Sequence, residues 1–430
     1  MHELTELIRN DMVMALGVTE PGAIAFCVAR AKTYAEGELI HLNVAMNSGM
    51  YKNAFTCGIP NSMEVGNVFA AALGYVAGNP DHGLESLADV TPADNERAKQ
   101  LIADGKISVE LSGITSRIFI EAILETTEST VVLTIRDKHT NITKVTVNGK
   151  TVFESEAEHT GGAAESDPAM NTHLIHRYTL AEIVDYVKTV PLAEIKFVKE
   201  AYRVNLELFE EGLNSPRTAF AKQLLAMNGG LVISDDEQMT ASLLCNAAIE
   251  ARVIGLDKPA MSITGSGAHG IIATMPLYGV CRVRGYSDEM LYRATMLSYL
   301  VCTYIKEYSG RLSAFCGCAI AAGSGMACAL VYLKGGTVEQ MEYTLNNMAS
   351  SITGMICDGG NQGCTMKGVA ACDAAFRSVE FAMKGVHIDK VHGINGKTPE
   401  ETMRNMGLIA SPGMTGTEKT IVEIFEDKLK

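Results

Sequence analysis

The sequence has no surplus of positive charge. Its 36 lysines and arginines are outnumbered by 50 aspartates and glutamates, and the net charge is −14. Proteins that bind nucleic acid or an anionic membrane surface gain affinity from a basic surplus that releases counterions. We therefore expect a small molecule as the partner, and neither nucleic acid nor a membrane.

The start of the chain lacks the pattern of a signal peptide. Residues 1–6, Met-His-Glu-Leu-Thr-Glu, contain no basic start followed by an apolar run. The eleven cysteines are therefore expected in the reduced state in the cytoplasm, and a disulfide framework is not expected.

A strongly hydrophobic membrane segment is also missing. The 22 residues between Arg311 and Lys334 carry no charge, which is long enough to span a bilayer. Most of them are Ala, Gly, Ser and Cys, so the stretch is only weakly hydrophobic. It predicts a buried helix whose small residues let neighbouring helices approach closely.

Length and periodicity predict an α+β protein. At 430 residues, with 47% hydrophobic and 20% charged residues, the chain can bury a large core and is expected to form two domains. Residues 5–16 have apolar residues at helical spacing, and Thr19-Glu20-Pro21 is typical of a helix start. Residues 40–46 alternate as a half-buried strand does, and residues 107–153 have β patterning with a hairpin signal at Asn148-Gly149.

Most of the chain after this region has helical patterning. Residues 156–171 are typical of a linker or exposed loop. We predict an N-terminal α/β domain over residues 1–170, with a small antiparallel sheet near residues 107–155. A mainly helical C-terminal domain is predicted over residues 171–430. The sheet is expected to lie apart from the helical core.

Three cysteines are candidates for a metal centre. Cys357 and Cys364 flank a loop with three glycines, and Cys316 lies 41 residues before Cys357. A structural zinc site requires four ligands, usually from short Cys-x2-Cys pairs, and the sequence has no such pair. Three thiolates would leave one coordination position open for chemistry. The other cysteines in apolar stretches are expected to be core residues, since free cysteine is often buried: Cys245, Cys281, Cys302, Cys328 and Cys372.

A second glycine-rich segment, residues 264–270, reads Thr-Gly-Ser-Gly-Ala-His-Gly. No strand-turn-helix unit with a downstream acid surrounds it, so it is not predicted to bind a dinucleotide. It can instead form a nest of backbone N–H groups for a substrate carboxylate, with Ser266 or His269 beside it. A single histidine is more often structural than catalytic, and both roles stay open for His269.

Several motifs together resemble one family, the oxygen-sensitive L-cysteine desulfidases, which are related to the catalytic alpha part of iron-sulfur L-serine dehydratase. They are residues 312–316 (Leu-Ser-Ala-Phe-Cys), 355–359 (Met-Ile-Cys-Asp-Gly), 364–367 (Cys-Thr-Met-Lys), and 265–267 leading to 272–276. The resemblance runs nearly from end to end, with further matches at residues 52–53, 70–74, 105–109 and 139–142.

The resemblance implies a [4Fe-4S] cluster held by Cys316, Cys357 and Cys364, and no pyridoxal phosphate. It implies elimination of the β-substituent from a small amino acid, with L-cysteine giving pyruvate, ammonia and sulfide. L-serine or another β-substituted amino acid is the alternative substrate. A homo-oligomer is compatible with this reading. The residues expected to bind the substrate are Lys52, Asn53, Ser266 and Lys367.

One position departs from the family pattern. The family has a cysteine in Gly-Cys-Thr-Glu-Pro, where this chain has Val18 in residues 17–21. Valine can neither transfer a proton nor bind iron, so Cys57 and His269 are the candidate catalytic replacements. Cys27 shares the helical face of Glu20, but its apolar neighbours favour burial.

The missing thiol also leaves a function of another class open: a homologue that binds a cluster or an amino acid without turnover. For either function, motifs from both halves of the chain must meet at one site. We therefore expect residues 17–21 and 52–53 to fold back onto the cysteine loops.

Overall fold

The computed structural model describes residues 1–155, 173–310 and 312–428. The predicted linker at residues 156–171 lies outside these ranges. The helices of the first range are α1 (Glu3–Asp11), α2 (Thr19–Lys32), α3 (Ser48–Ala54), α4 (Asn67–Ala77) and α5 (Pro92–Ala103). Its strands are β1 (Val13–Leu16), β2 (Leu39–Asn47), β3 (Ile107–Gly113), β4 (Phe119–Thr126), β5 (Thr130–Arg136), β6 (Ile142–Val147) and β7 (Lys150–Glu154).

The rest of the described chain is almost entirely helical. Its helices are α6 (Leu180–Thr189), α7 (Leu192–Ile195), α8 (Lys199–Asn214), α9 (Phe220–Met227), α10 (Glu237–Val253), α11 (Gly267–Arg284), α12 (Asp288–Ser309), α13 (Gly323–Leu333), α14 (Val338–Ile352), α15 (Gly363–Ala382), α16 (Pro399–Leu408) and α17 (Thr415–Asp427). One short strand, β8 (Pro259–Ser262), precedes α11. Short 3-10 or π-helical turns occur at Pro80–Glu85, Leu174–Arg177, Lys196–Val198, Cys318–Ala322 and Ile409–Gly413. The predicted α+β class is confirmed.

The helix predicted over residues 5–16 is correct only for its first part. Helix α1 ends at Asp11, and β1 pairs antiparallel with β8, with Val13 opposite Ser262. Apolar spacing within a short window does not reveal a partner strand from the other half of the chain. The helix start at Thr19-Glu20-Pro21 is confirmed by α2, since proline fits the first turn, where its missing N–H leaves no hydrogen bond unmade.

The large sheet has the strand order β3-β2-β4-β5-β6-β7. The hairpin predicted at Asn148-Gly149 joins β6 to β7, with positive φ at both residues. The alternating segment predicted at residues 40–46 is β2, which lies inside this sheet and runs parallel to β3. The sheet is therefore mixed and larger than the antiparallel sheet expected from residues 107–153.

The sheet packs against α2. The Cys27 thiol on α2 donates a hydrogen bond to the Leu133 carbonyl on β5 at 3.9 Å, and both residues are fully buried. These residues belong to the same hydrophobic core as Leu244 on α10. The main helix contacts of the sheet are with α2, α3, α4 and α5 of the N-terminal range. That the sheet lies apart from the C-terminal helical core stays a prediction.

Small residues let the C-terminal helices approach closely. The uncharged stretch before Lys334 forms the π-helical turn and α13, both buried, as expected. At Gly325, a side-chain Cβ would lie 2.2 Å from the Ser298 carbonyl oxygen on α12, so only glycine allows this packing distance. Within the described ranges, no helix combines the length and hydrophobicity needed to cross a membrane.

Candidate functional site

The two cysteine-bearing loops run side by side. Phe315 and Ile356 form an antiparallel β-bridge. The Cys316 N–H donates to the Met355 carbonyl at 3.0 Å, and the Cys357 N–H donates to the Ala314 carbonyl at 2.6 Å. This backbone pairing brings Cys316 and Cys357 into one neighbourhood, although 41 positions separate them in the sequence.

Cys364 joins them from the first turn of α15. Its thiol donates to the Gly359 carbonyl at 3.4 Å. Lys367 follows one helical turn later and forms an ion pair with Asp358 in the same loop. Burial would lower the pKa of Lys367, but the Asp358 carboxylate and the Cys357, Cys316 and Cys364 groups raise it. All three candidate ligands therefore act electrostatically on one cation.

Lys52 supplies a second cation from α3. Its ammonium donates to Glu418 Oε2 at 2.8 Å and to the Ser313 carbonyl at 3.1 Å. The Lys52 side chain is fully buried. Burial would lower its pKa, yet Cys357 and Glu418 raise it, so Lys52 stays charged. Glu418 lies on α17, and the C-terminal helix thus helps to form the site.

The thiols are held in a low-dielectric setting. Burial raises the pKa of Cys357, while Lys52 and Lys367 oppose this effect. Burial also raises the pKa of Cys364, to about 12. Contact with the Cys318 thiol is the main cause that raises the pKa of Cys316. Sequence reasoning had overlooked Cys318, although it is only two residues away.

The donor type of the three cysteines is the one that iron-sulfur clusters use. Among the described residues, no three His, Cys, Asp or Glu side chains are arranged to hold one metal ion. A cubane cluster takes each thiolate on a different iron, so its ligands are spread more widely than those of one zinc ion. Cys316, Cys357 and Cys364 offer only sulfur, and the two lysines beside them suit an anionic group.

The N-terminal part of the chain folds onto the cysteine loop, as expected. The Gly360 N–H donates to the Asn53 carbonyl at 3.1 Å. The Cys357 thiol donates to Asn53 Oδ1 at 3.8 Å. A Cβ at Gly360 would lie 2.7 Å from Val18 Cγ1, so Val18 packs directly on the loop. The position at which the family has its extra cysteine therefore borders the candidate cluster site.

Glu20 is a buried carboxylate next to Asn53. The sequence pattern predicted it only as part of a helix start. Its Oε1 accepts a hydrogen bond from Asn53 Nδ2 at 2.9 Å and lies 3.9 Å from His139 Nε2. Burial would raise the pKa of Glu20, but His139, Asn53 and Arg252 outweigh it and lower the pKa to about 2. Glu20 is thus an anion in the folded protein.

We expect Glu20→Gln to lower the free energy of unfolding by about 3 kcal/mol at neutral pH, which is the linkage value of a pKa lowered this far. Because the folded-state pKa of about 2 is below the ordinary 4.5, the ionised carboxylate stabilises the fold above pH 4.5. This contribution is lost as the pH falls towards 2. Denaturant unfolding of both proteins between pH 3 and 7 measures the difference.

Glu423→Gln is the matched control, since Glu423 is exposed on α17. It should change the unfolding free energy little at any pH. A Glu20→Gln effect of equal size at pH 3 and pH 7 would contradict ionisation of Glu20 as its source.

His269 is held by a strained threonine. Thr264 has φ +51°, a left-handed conformation that is costly for a β-branched residue. Its N–H donates to Asp11 Oδ2 at 2.5 Å, and its hydroxyl lies 2.6 Å from His269 Nδ1. The hydroxyl can donate its one hydrogen to the Ile263 carbonyl at 2.8 Å and accept from His269 Nδ1–H.

The other ring nitrogen of His269 faces the cysteine loops. A Cβ at Gly317, next to Cys316, would lie 2.7 Å from His269 Nε2. Burial, helped by Lys306 and Arg252, lowers the pKa of His269 well below its ordinary value. His269 is therefore neutral at physiological pH, and its Nε2 lies next to the segment that carries Cys316.

The remaining candidates are placed differently. Cys57 is fully buried, donates to the Ala54 carbonyl at 3.4 Å, and has a pKa raised by burial. Cys27 lies in the core against the sheet. Ser266 occupies the residue before α11, half-buried, and makes no capping hydrogen bond with its side chain. Of the two candidates for the missing thiol role, His269 has the polar atom directed at the cysteine loops.

Known proteins resemble this chain along nearly its whole length. The family model of the serine dehydratase alpha chain matches residues 81–423. A UPF0597 protein of Clostridium botulinum (strain Langeland) is 39% identical over 427 residues, which are 99% of each chain. A UPF0597 protein of Aeromonas hydrophila is 34% identical over 98% of this chain and 95% of its own. That of Caldanaerobacter subterraneus is 33% identical, over 99% of this chain and 98% of its own.

The family match includes the paired loops that carry Cys316 and Cys357, the start of α15 with Cys364, and Glu418. It confirms the predicted relation to iron-sulfur serine dehydratases. This chain therefore belongs to the serine dehydratase alpha chain family.

Proposed function

We propose that this protein is an iron-sulfur lyase that removes the β-substituent of a small amino acid without pyridoxal phosphate. L-cysteine is the proposed substrate, with pyruvate, ammonia and sulfide as products. L-serine, which would lose water, is the alternative. The observation that carries the proposal is the backbone pairing of the loops with Cys316 and Cys357, joined by Cys364 from the start of α15. His269 Nε2 lies next to the same loops.

Cys316, Cys357 and Cys364 would hold a [4Fe-4S] cluster, and its iron without a protein ligand would supply Lewis-acid assistance to the departing sulfide or water. The chain's own residues account for charge and proton transfer. Lys52 and Lys367 supply positive charge beside the cysteine groups that would hold the cluster. The neutral His269 can accept the α-proton at Nε2. Loss of the β-substituent leaves an aminoacrylate, which hydrolyses to pyruvate and ammonia.

The proposed compartment is the reducing cytoplasm. All eleven cysteines lie in the described ranges, and all are free thiols. Such a thiol content is typical of proteins kept under reducing conditions. An oxygen-sensitive cluster would require the same protection.

The test is an anaerobic assay of the reconstituted full-length protein. L-cysteine, L-serine and other β-substituted amino acids are supplied separately, and pyruvate, ammonia and sulfide are measured. Equal amounts of pyruvate and sulfide from L-cysteine are expected, without added pyridoxal phosphate. A protein that carries its cluster but turns over no member of the panel would instead be a binding homologue.

We expect Thr264→Val to lower kcat about 100-fold, because His269 loses the acceptor that holds its proton on Nδ1. Thr264→Ser keeps the hydroxyl and should retain most of the activity. Nitrogen-15 NMR of ring-labelled histidine reports the tautomer independently of turnover. A Thr264→Val protein with an unchanged tautomer but low kcat would contradict this role and leave only a structural one.

A further inference from the structure

The N-terminus of α11 has no side-chain cap among the described residues, since Ser266 makes no capping hydrogen bond. The first N–H groups of a helix have no partner within the helix, and they carry a partial positive charge. Helix α11 has 18 residues, so this end has a full helix behind it. An uncapped helix end alone does not identify a ligand.

A buried arginine provides the second observation. Arg252 is only 4% exposed, and its Nε has no hydrogen-bond partner among the described residues. The side chain lies against the first residue of α11, because a Cβ at Gly267 would be 2.7 Å from this Nε. Its Nη2 donates to Thr19 Oγ1 at 3.4 Å. A buried charged donor without an acceptor is costly, which indicates that a ligand supplies the acceptor.

Two other cations of the site already have anionic partners. Lys52 is paired with Glu418, and Lys367 with Asp358. A substrate carboxylate at either lysine would have to compete with a carboxylate of the protein. Arg252 also has an acidic neighbour, since it helps to lower the pKa of Glu20. Even so, the Nε of Arg252 has no hydrogen-bond acceptor among the described residues.

The start of α11 also lies in a suitable place for removal of the α-proton. His269 lies in the first turn of α11, and its Nε2 faces Gly317, beside Cys316. In an α-amino acid the carboxylate is bonded directly to the carbon that loses its proton. A carboxylate at the helix start would hold that carbon between His269 and the cysteine loops.

We propose that the α-carboxylate of the substrate binds at the start of α11, between Arg252 and the N–H groups of residues 267–269, with the Ser266 hydroxyl beside it. This inference rests on the proposed function and names the part of the site that recognises the substrate's acid group. Arg252 is then a substrate-binding residue that the family resemblance had not indicated.

The test uses calorimetry on full-length protein purified anaerobically. The probes are L-serine, 3-hydroxypropionate, which lacks the amine, and ethanolamine, which lacks the carboxylate. The first two should bind the native protein, and Arg252→Met should weaken both by about 10- to 100-fold, the range of a lost charge-assisted hydrogen bond. Arg282→Met is the control. It removes an exposed arginine at the far end of α11 and should change neither affinity.

Arg252→Lys guards against a folding defect in Arg252→Met. It keeps the positive charge but removes the Nε donor, so it should weaken the same two probes. Circular dichroism and the thermal midpoint verify folding. If Arg252→Met does not fold, Arg252→Lys decides the question.

Three results would overturn the inference: no binding of either acid, unchanged affinity in the folded variants, or ethanolamine binding as tightly as L-serine. The failures of the two proposals can be told apart. Turnover with Arg252-independent binding refutes the carboxylate site alone. Arg252-dependent binding without turnover of any substrate refutes the lyase function alone.

Discussion

Alanine in place of Cys316, Cys357 or Cys364 is expected to reduce the iron content of anaerobically reconstituted protein from about four per chain to near zero. Each change leaves two thiolates where three are needed to hold the cluster. Turnover should be lost in each variant. Iron and sulfide analysis, with the absorption spectrum of the cluster, measures the result.

Cys245→Ala and Cys372→Ala are the controls, since both residues are fully buried in the core. Cys318→Ala is a closer control, because its thiol contacts that of Cys316. All three should retain four irons. Stoichiometric zinc at these thiols, or full iron content in Cys357→Ala, would contradict the cluster and the lyase function with it.

Restoring the family thiol by Val18→Cys is expected to raise the turnover of L-cysteine. Unless another group has replaced the thiol, the increase is about two to four orders of magnitude, the usual contribution of a positioned acid or base. Val18 packs against Gly360 in the loop between Cys357 and Cys364, so a thiol at this position would border the candidate cluster site. Anaerobic steady-state kinetics of both proteins give the ratio.

Val18→Thr is the matched control, since it has nearly the same shape and no thiol. It should not raise turnover. Val18→Cys could have no effect while His269→Ala or Cys57→Ala abolishes activity. The proton-transfer role then belongs to His269 or Cys57, whichever substitution abolishes activity. The structure favours His269, because its Nε2 faces the cysteine loops and the Cys57 thiol is buried.

Local chemistry made several features predictable from sequence. The hairpin at Asn148-Gly149 depends on two adjacent residues that tolerate positive φ. The start of α2 depends on a proline that suits a first turn. The candidate ligands Cys357 and Cys364 stand in one glycine-rich loop, where residue type and spacing carry the signal. Each of these features is determined within about ten residues.

Other features depend on partners that no local window contains. Strand β1 was predicted as the end of a helix, and its partner β8 lies about 250 positions away. Strand β2 was recognised as a strand, but its parallel neighbour β3 follows only after three intervening helices and a 3-10 turn. Strand pairing is decided by which edges meet in the folded chain, and periodicity carries no information about that.

The charges of the site show most clearly the difference between what the sequence determines and what only the tertiary structure decides. Residue types and motifs in the sequence identified the cysteine ligands, Lys52 and His269 as candidates. Only the tertiary structure paired Lys52 with Glu418 across 366 positions, set Glu20 against Asn53 and left Arg252 Nε without a partner at the start of α11. The reason is physical: burial makes a charge costly unless a partner is near. The fold decides both the burial and the partner.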